Sequence, residues 1–217
     1  MISLLRMLFL LLAALPAQAQ LVGSISIAER RDVRLAEQPG TFTHALNLTV
    51  VHFREGGWDP VTILDAAGDG ARILAQCGIA LTSVDLVLVD APPRYRYYLT
   101  PVSRELARRL PLPRPAVYFV AGTRQRPAFD AEAIGRGNLG PRPELQDTVW
   151  IAQGAREPGI AFAHELAHVL MDSGEHSEAP GNLMREETAP QNTQLSAAQC
   201  ALLRETGERN GLLRRAP

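Results

Sequence analysis

Residues 164 to 184 read HELAHVLMDSGEHSEAPGNLM. Three of the chain's five histidines, His164, His168 and His176, lie in it. On an α-helix, residues four apart sit roughly 40° apart around the axis and one turn along it. His164 and His168 therefore face the same way and can clamp one ion. Glu165 lies about 100° from His164, at the edge of that face. It can reach a water on the ion without being a ligand. Two neutral imidazoles to hold a metal and one carboxylate to take a proton is the division of labour that metal-assisted hydrolysis uses. Ile160, Phe162, Leu166, Val169 and Leu170 make the rest of the segment apolar. The helix is therefore largely buried, where an unpaired carboxylate is expensive. The bland alternative is a helix with two hydrogen-bonded histidines and a solvated glutamate.

A catalytic zinc site usually has three protein ligands and a water. His176 is the first candidate for the third. Were the helix continuous to 176, that residue would sit ~12 Å beyond His168 along the axis. The chain must therefore stop and fold back. Asp172-Ser173-Gly174 offers the stop, with Gly174 free to take the left-handed conformation that ends helices. The second candidates are Glu186 and Glu187. Pro180-Gly181 before them and Pro190 after leave little room for the helix that would carry such a ligand.

The succession H-E-x-x-H, Gly, His-Ser, Pro-x-x-Leu-Met resembles the metzincin clan of zinc endopeptidases. HSEAPGNLM (176 to 184) is especially similar to the tail of the matrix metalloproteinase motif. The resemblance implies an α+β domain with one mixed, mostly parallel sheet, an antiparallel edge strand, an active-site helix and a C-terminal helix. It implies Zn²⁺ on His164, His168 and His176, Glu165 as general base, and Met184 in a methionine turn beneath the metal. It also implies a peptide or protein substrate lying along an edge strand within residues 133 to 143. Two features depart from the clan's pattern. The interval between the second and third histidines is two residues longer, and no Tyr follows Met184.

The order of elements fits such a domain. After a polar lead (20 to 40), LNLTVVHF (46 to 53) reads as a strand. Asp59-Pro60 caps a helix with apolar positions from Val61 to Cys77, closed by Gly78, although Gly68 and Gly70 weaken it. VDLVLV (84 to 89), AVYFVA (116 to 121) and DTVWIA (147 to 152) are further strands. Residues 91 to 101 read as a loop, followed by a short helix between Pro101 and Pro111. A Gly-, Pro- and Arg-rich segment (122 to 146) holds a candidate edge strand near Asn138-Leu139. Pro158 opens the motif helix. Ser196-x-x-Gln199 resembles a capping box for a last helix that Gly207 weakens or ends.

The beginning of the chain is read as a secretory signal. Arg6, the apolar run Met7 to Leu15 and Ala17-Gln18-Ala19 have the n-region, h-region and A-x-A pattern, with cleavage after Ala19. The run is shorter than the ~20 residues of a bilayer span, so no stable membrane anchor is expected after cleavage. The expected organisation is a signal peptide (1 to 19), a lead (20 to 40) and one catalytic domain (41 to 217), secreted or periplasmic. In such a compartment Cys77 and Cys200 can pair; the alternative is two separate buried thiols. A formal net charge of −1 argues against nucleic acid as partner. Two rival functions stay open: a zinc peptidase with Glu186 or Glu187 as third ligand, and a non-catalytic exported domain whose metal is structural or absent, which a site closed by a carboxylate such as Asp172 or Glu175 would support.

Overall fold

The computed structural model describes residues 23–124, 133–136 and 142–216. Its strands are β1 (Ser26–Arg34), β2 (His44–Leu46), β3 (Leu48–Phe53), β4 (Ile79–Ala80), β5 (Ser83–Asp90), β6 (Tyr97–Tyr98), β7 (Ala116–Val120), β8 (Gly122–Thr123), β9 (Ala133–Arg136), β10 (Thr148–Ala152) and β11 (Leu213–Arg215). The helices are α1 (Pro60–Ala75), α2 (Thr100–Arg109), α3 (Pro158–Met171) and α4 (Ala197–Arg209). The main sheet has six strands in the order β1-β5-β3-β7-β10-β9. The four central strands are parallel; β1 and β9 run antiparallel at the two edges. This is an α+β fold with a mixed, mostly parallel sheet.

The central strands are apolar on both faces because both faces are covered. Alternation then sorts them. Val50, Leu86, Val117, Phe119, Val149 and Ile151 point into the core shared with α1, α3 and α4. Val51, Val87, Tyr118, Val120 and Trp150 point the other way, towards Leu106 and Ala107 of α2. There Tyr118 and Trp150 stack with ring centroids 4.1 Å apart. Asp59 caps α1 by accepting from the Val61 amide, and Ser196 and Gln199 close a capping box on α4. Cys77, just beyond α1, and Cys200 on α4 form a disulfide.

The fold adds to the sequence reading, or departs from it, in five places. The lead contains β1, paired to β5 over Ser26–Arg34. Its charged residues suit an edge strand exposed on both faces, as does the Arg30–Asp85 ion pair. The 46 to 53 strand begins at His44 and breaks at Asn47, its first part joining a small sheet with β4 and β11. The loop at 91 to 101 contains a 3₁₀ turn (Pro93–Arg96) and β6. The edge strand is Ala133–Arg136, inside the 133 to 143 stretch expected to hold it; Asn138 and Leu139 lie outside the described residues, as does the signal segment. Finally, α4 runs through Gly207, because a residue without a Cβ lets Leu213 of β11 pack against the helix there.

Among the described residues, no helix is long and apolar enough to cross a membrane.

Candidate metal centre

Helix α3 sits beneath the sheet with most of its circumference buried. Two glycines allow it to lie close to α1. A Cβ on Gly70 of α1 would collide with the Phe162 ring, and one on Gly159 of α3 would collide with Asp69. His164 is 3% exposed, whereas Glu165 and His168 are half-buried. The periodicity does what the sequence implied: the two imidazoles meet, Nε2 to Nε2, at 3.0 Å.

The helix ends at Met171. Asp172, with φ 50° and ψ 44°, takes the left-handed conformation, and Gly174 does not have a positive φ. The expectation that Gly174 would supply the left-handed step is thereby corrected. Asp is among the few residues with a side chain that visit this region readily. The reversal swings His176 back over the helix. The ligand nitrogens of His164, His168 and His176 all lie within 4.8 Å of one another. The ring centroids of His176 lie 5.4 Å from His164 and 5.0 Å from His168. His176 itself is exposed.

Backbone carbonyls orient the two helical rings. His164 Nδ1 donates to Leu183 O at 2.8 Å, and His168 Nδ1 donates to Ser173 O at 2.7 Å. A carbonyl only accepts, so each proton resides on Nδ1 and each Nε2 presents a lone pair. Burial pushes the His168 pKa down to about 4 and lowers that of His164, and the neighbouring imidazoles act in the same direction. Both rings are neutral at pH 7, the state a metal requires. Two Nε2 lone pairs facing each other are electrostatically unfavourable until a cation lies between them. Nitrogens bound ~2.0–2.1 Å from one tetrahedral zinc lie roughly 3.4 Å apart. The helical pair is close to that spacing, and the exposed position of His176 leaves it room to close in. The donor set fits a metal ion.

Among the described residues no carboxylate belongs to this group. Glu186 and Glu187 are exposed, and neither they nor Asp172 and Glu175 join the three histidines. Met184 is 1% exposed and belongs to the main core. The turn before it is tight: Pro180 and Gly181, the latter with φ 73°, are followed by the Asn182 amide donating to Ala179 O. Ser177 N donates to Met184 O at 2.7 Å, which ties the His176 loop to this turn. The group that touches the histidine is thus the Leu183 carbonyl, beside Met184. Sequence reasoning missed Leu183 and Ser173 because a backbone carbonyl leaves no mark in residue type. It missed Asn182 as well, although an Asn after Pro-Gly is a turn signal.

No family model matches the chain, and no curated protein matches it. Among solved structures it is similar to metalloproteinase-II from Bacteroides fragilis, with a TM-score of 0.51 and 17% identity. The likeness covers 81% of this chain and 57% of that one, so the chain spans little more than half the length of that protein. At this identity the likeness concerns architecture: the chain has the fold of a metalloproteinase, and within it three histidines gather where a metal ion can be held.

Proposed function

We propose that this chain is an exported, zinc-dependent endopeptidase of the metzincin kind. The observation that carries the reading is the convergence of three imidazoles with no carboxylate among the described residues to complete the set. Three protein ligands and an open position distinguish catalytic from structural zinc sites. The same observation disfavours a glutamate third ligand and a site closed by Asp172 or Glu175.

His164, His168 and His176 would hold the ion. A bound zinc ion would polarise the scissile carbonyl and make a water acidic near neutral pH. Glu165 accepts the proton of the attacking water and delivers it to the leaving amine. The Leu183 and Ser173 carbonyls keep both helical imidazoles in the Nε2-presenting tautomer throughout. Strand β9 pairs with β10 on one side. Along its other side an extended peptide can add as a strand, main chain to main chain. Export rests on the signal-like residues 1 to 19, with cleavage after Ala19, and is compatible with the Cys77–Cys200 disulfide.

The test combines metal analysis with cleavage of a broad peptide library. Glu165→Ala is expected to retain zinc and lose hydrolysis. His168→Ala is expected to lose both, and His176→Ala to lower metal affinity where Glu187→Ala does not. Full activity in Glu165→Ala would overturn the assigned mechanism. A wild-type protein that takes up zinc but cleaves nothing in the library would favour a non-catalytic zinc-binding domain.

A further inference from the structure

We infer that Asn182 and Gln199 form a positioning pair that holds His164 in its metal-binding tautomer through a single peptide plane. This rests on the reading of the three histidines as a metal site. The plane is the Leu183–Met184 peptide. Its carbonyl end, Leu183 O, receives the proton of His164 Nδ1 at 2.8 Å. Its amide end, Met184 N, donates to Asn182 Oδ1 at 2.9 Å. A peptide is rigid and planar, so anchoring its N–H sets the direction of its C=O. If the plane turned, both bonds would be lost together and the imidazole would be free to turn its ring or exchange tautomers.

The anchor is itself anchored. Asn182 Nδ2 donates to Gln199 Oε1 at 2.9 Å, and Gln199 Nε2 donates to Asn182 Oδ1 at 3.0 Å. Two side-chain amides can pair this way in either of two states, related by flipping both together, and backbone donors at each end select one of them. The Met184 amide requires an oxygen at Asn182 Oδ1. The Ser196 amide, donating at 2.8 Å, requires an oxygen at Gln199 Oε1. Gln199 is also the third residue of α4 and half of its capping box. The next residue, Cys200, is disulfide-bonded to Cys77 at the end of α1. The start of the last helix is thereby joined to the metal ligand across 35 residues of sequence by four hydrogen bonds and one peptide plane.

Asn182 is 7% exposed, and neither amide is a ligand or touches substrate in this scheme. Both are positioning residues. Removing such an outer partner typically lowers metal affinity by ~10- to 100-fold.

The experiment uses the whole chain and measures zinc affinity by competition with a chromophoric chelator. In parallel, imidazole ¹⁵N NMR of the metal-free protein reports the His164 tautomer. Asn182→Ala, which removes all three of its side-chain bonds, is expected to weaken zinc binding about 10- to 100-fold and to mix the His164 tautomers. Asn182→Asp keeps an oxygen for the Met184 amide and for Gln199 Nε2 but sets its second oxygen against Gln199 Oε1, and is expected to restore part of both signals. Gln199→Leu leaves Asn182 in place but unsupported and falls between. It keeps the test alive should Asn182→Ala fail to fold. Leu106→Ala, in the core on the opposite face of the sheet, controls for general loss of stability and should leave affinity and tautomer unchanged. Unaltered zinc affinity and an unaltered His164 tautomer in Asn182→Ala would overturn the inference. So would equal losses in Leu106→Ala. Absence of zinc binding by the wild type would sink the metal reading instead, while the tautomer measurement would still decide the role of Asn182.

Discussion

Two titratable groups on this chain, one half-buried and one buried, push stability in opposite directions as pH changes, and one substitution separates them. His168 has its pKa lowered from 6.5 to about 4, chiefly by burial. As pH falls through this window, the unfolded chain takes a proton that the folded chain refuses, so stability falls. At about 1.36 kcal/mol per pH unit the full loss is about 3 kcal/mol. Asp147 has its pKa raised from 3.8 to about 6, again by burial first. It is 8% exposed, and among the described residues its Oδ1 has no hydrogen-bond partner. Here the folded chain takes the proton first, so stability rises by about 3 kcal/mol as pH falls from about 6 to 3.8. The two effects nearly cancel, and the metal-free wild type should vary little between pH 7 and pH 4 on their account.

Asp147→Asn removes only the second effect. Asn suits the site because residue 147 has φ 55°, a conformation Asn tolerates at least as well as Asp. The variant is expected to be more stable than wild type by about 3 kcal/mol at pH 7.5 and equal to it below pH 4. The assay is urea unfolding in the presence of a chelator at several pH values. With a slope of about 2 kcal/mol/M, the midpoint at pH 7.5 moves up by about 1.5 M. Adding His168→Gln to Asp147→Asn should flatten the profile again. Parallel wild-type and Asp147→Asn profiles, or a destabilised variant at pH 7.5, would refute the burial argument.

The two weak points of α1 should behave oppositely. A Cβ on Gly68 would meet only open space, so Gly68→Ala is expected to stabilise by about 0.5–1 kcal/mol. Gly70→Ala meets the Phe162 ring and is expected to destabilise by about 1–3 kcal/mol; thermal melts of both variants decide. Removing the disulfide, which spans 123 residues, with Cys77→Ala and Cys200→Ala is expected to cost up to about 5 kcal/mol in urea. A cost below about 1 kcal/mol would mean the unfolded chain keeps these helices together. Zinc at a hundred times its dissociation constant should add about 2.7 kcal/mol to the stability of the folded state. That corresponds to a rise of about 5–10 °C in Tm over chelated protein, and should be absent in His168→Ala.

Residue pattern alone was enough for the elements whose cause is local. The 3.6-residue repeat places His164 and His168 on one face whatever surrounds the helix, and the β-branched, mostly apolar runs at 48 to 53, 84 to 89, 116 to 120 and 148 to 152, bounded by turn residues, are strands. It also required a reversal after the helix, since an uninterrupted helix could not bring His176 near its fellows. Tertiary structure decided the rest. Whether Cys77 meets Cys200 depends on how α1 and α4 pack, and no local pattern encodes a contact across 123 residues. The charged lead became β1 only because β5 offered it an edge. Gly70 reads as a helix weakener until Phe162 arrives against it. Asp172, not Gly174, bears the left-handed step, although propensity alone favours the glycine. The groups that orient the imidazoles are main-chain carbonyls at Leu183 and Ser173. Every residue carries such a carbonyl, so only its position in space, which the whole fold sets, gives it a role.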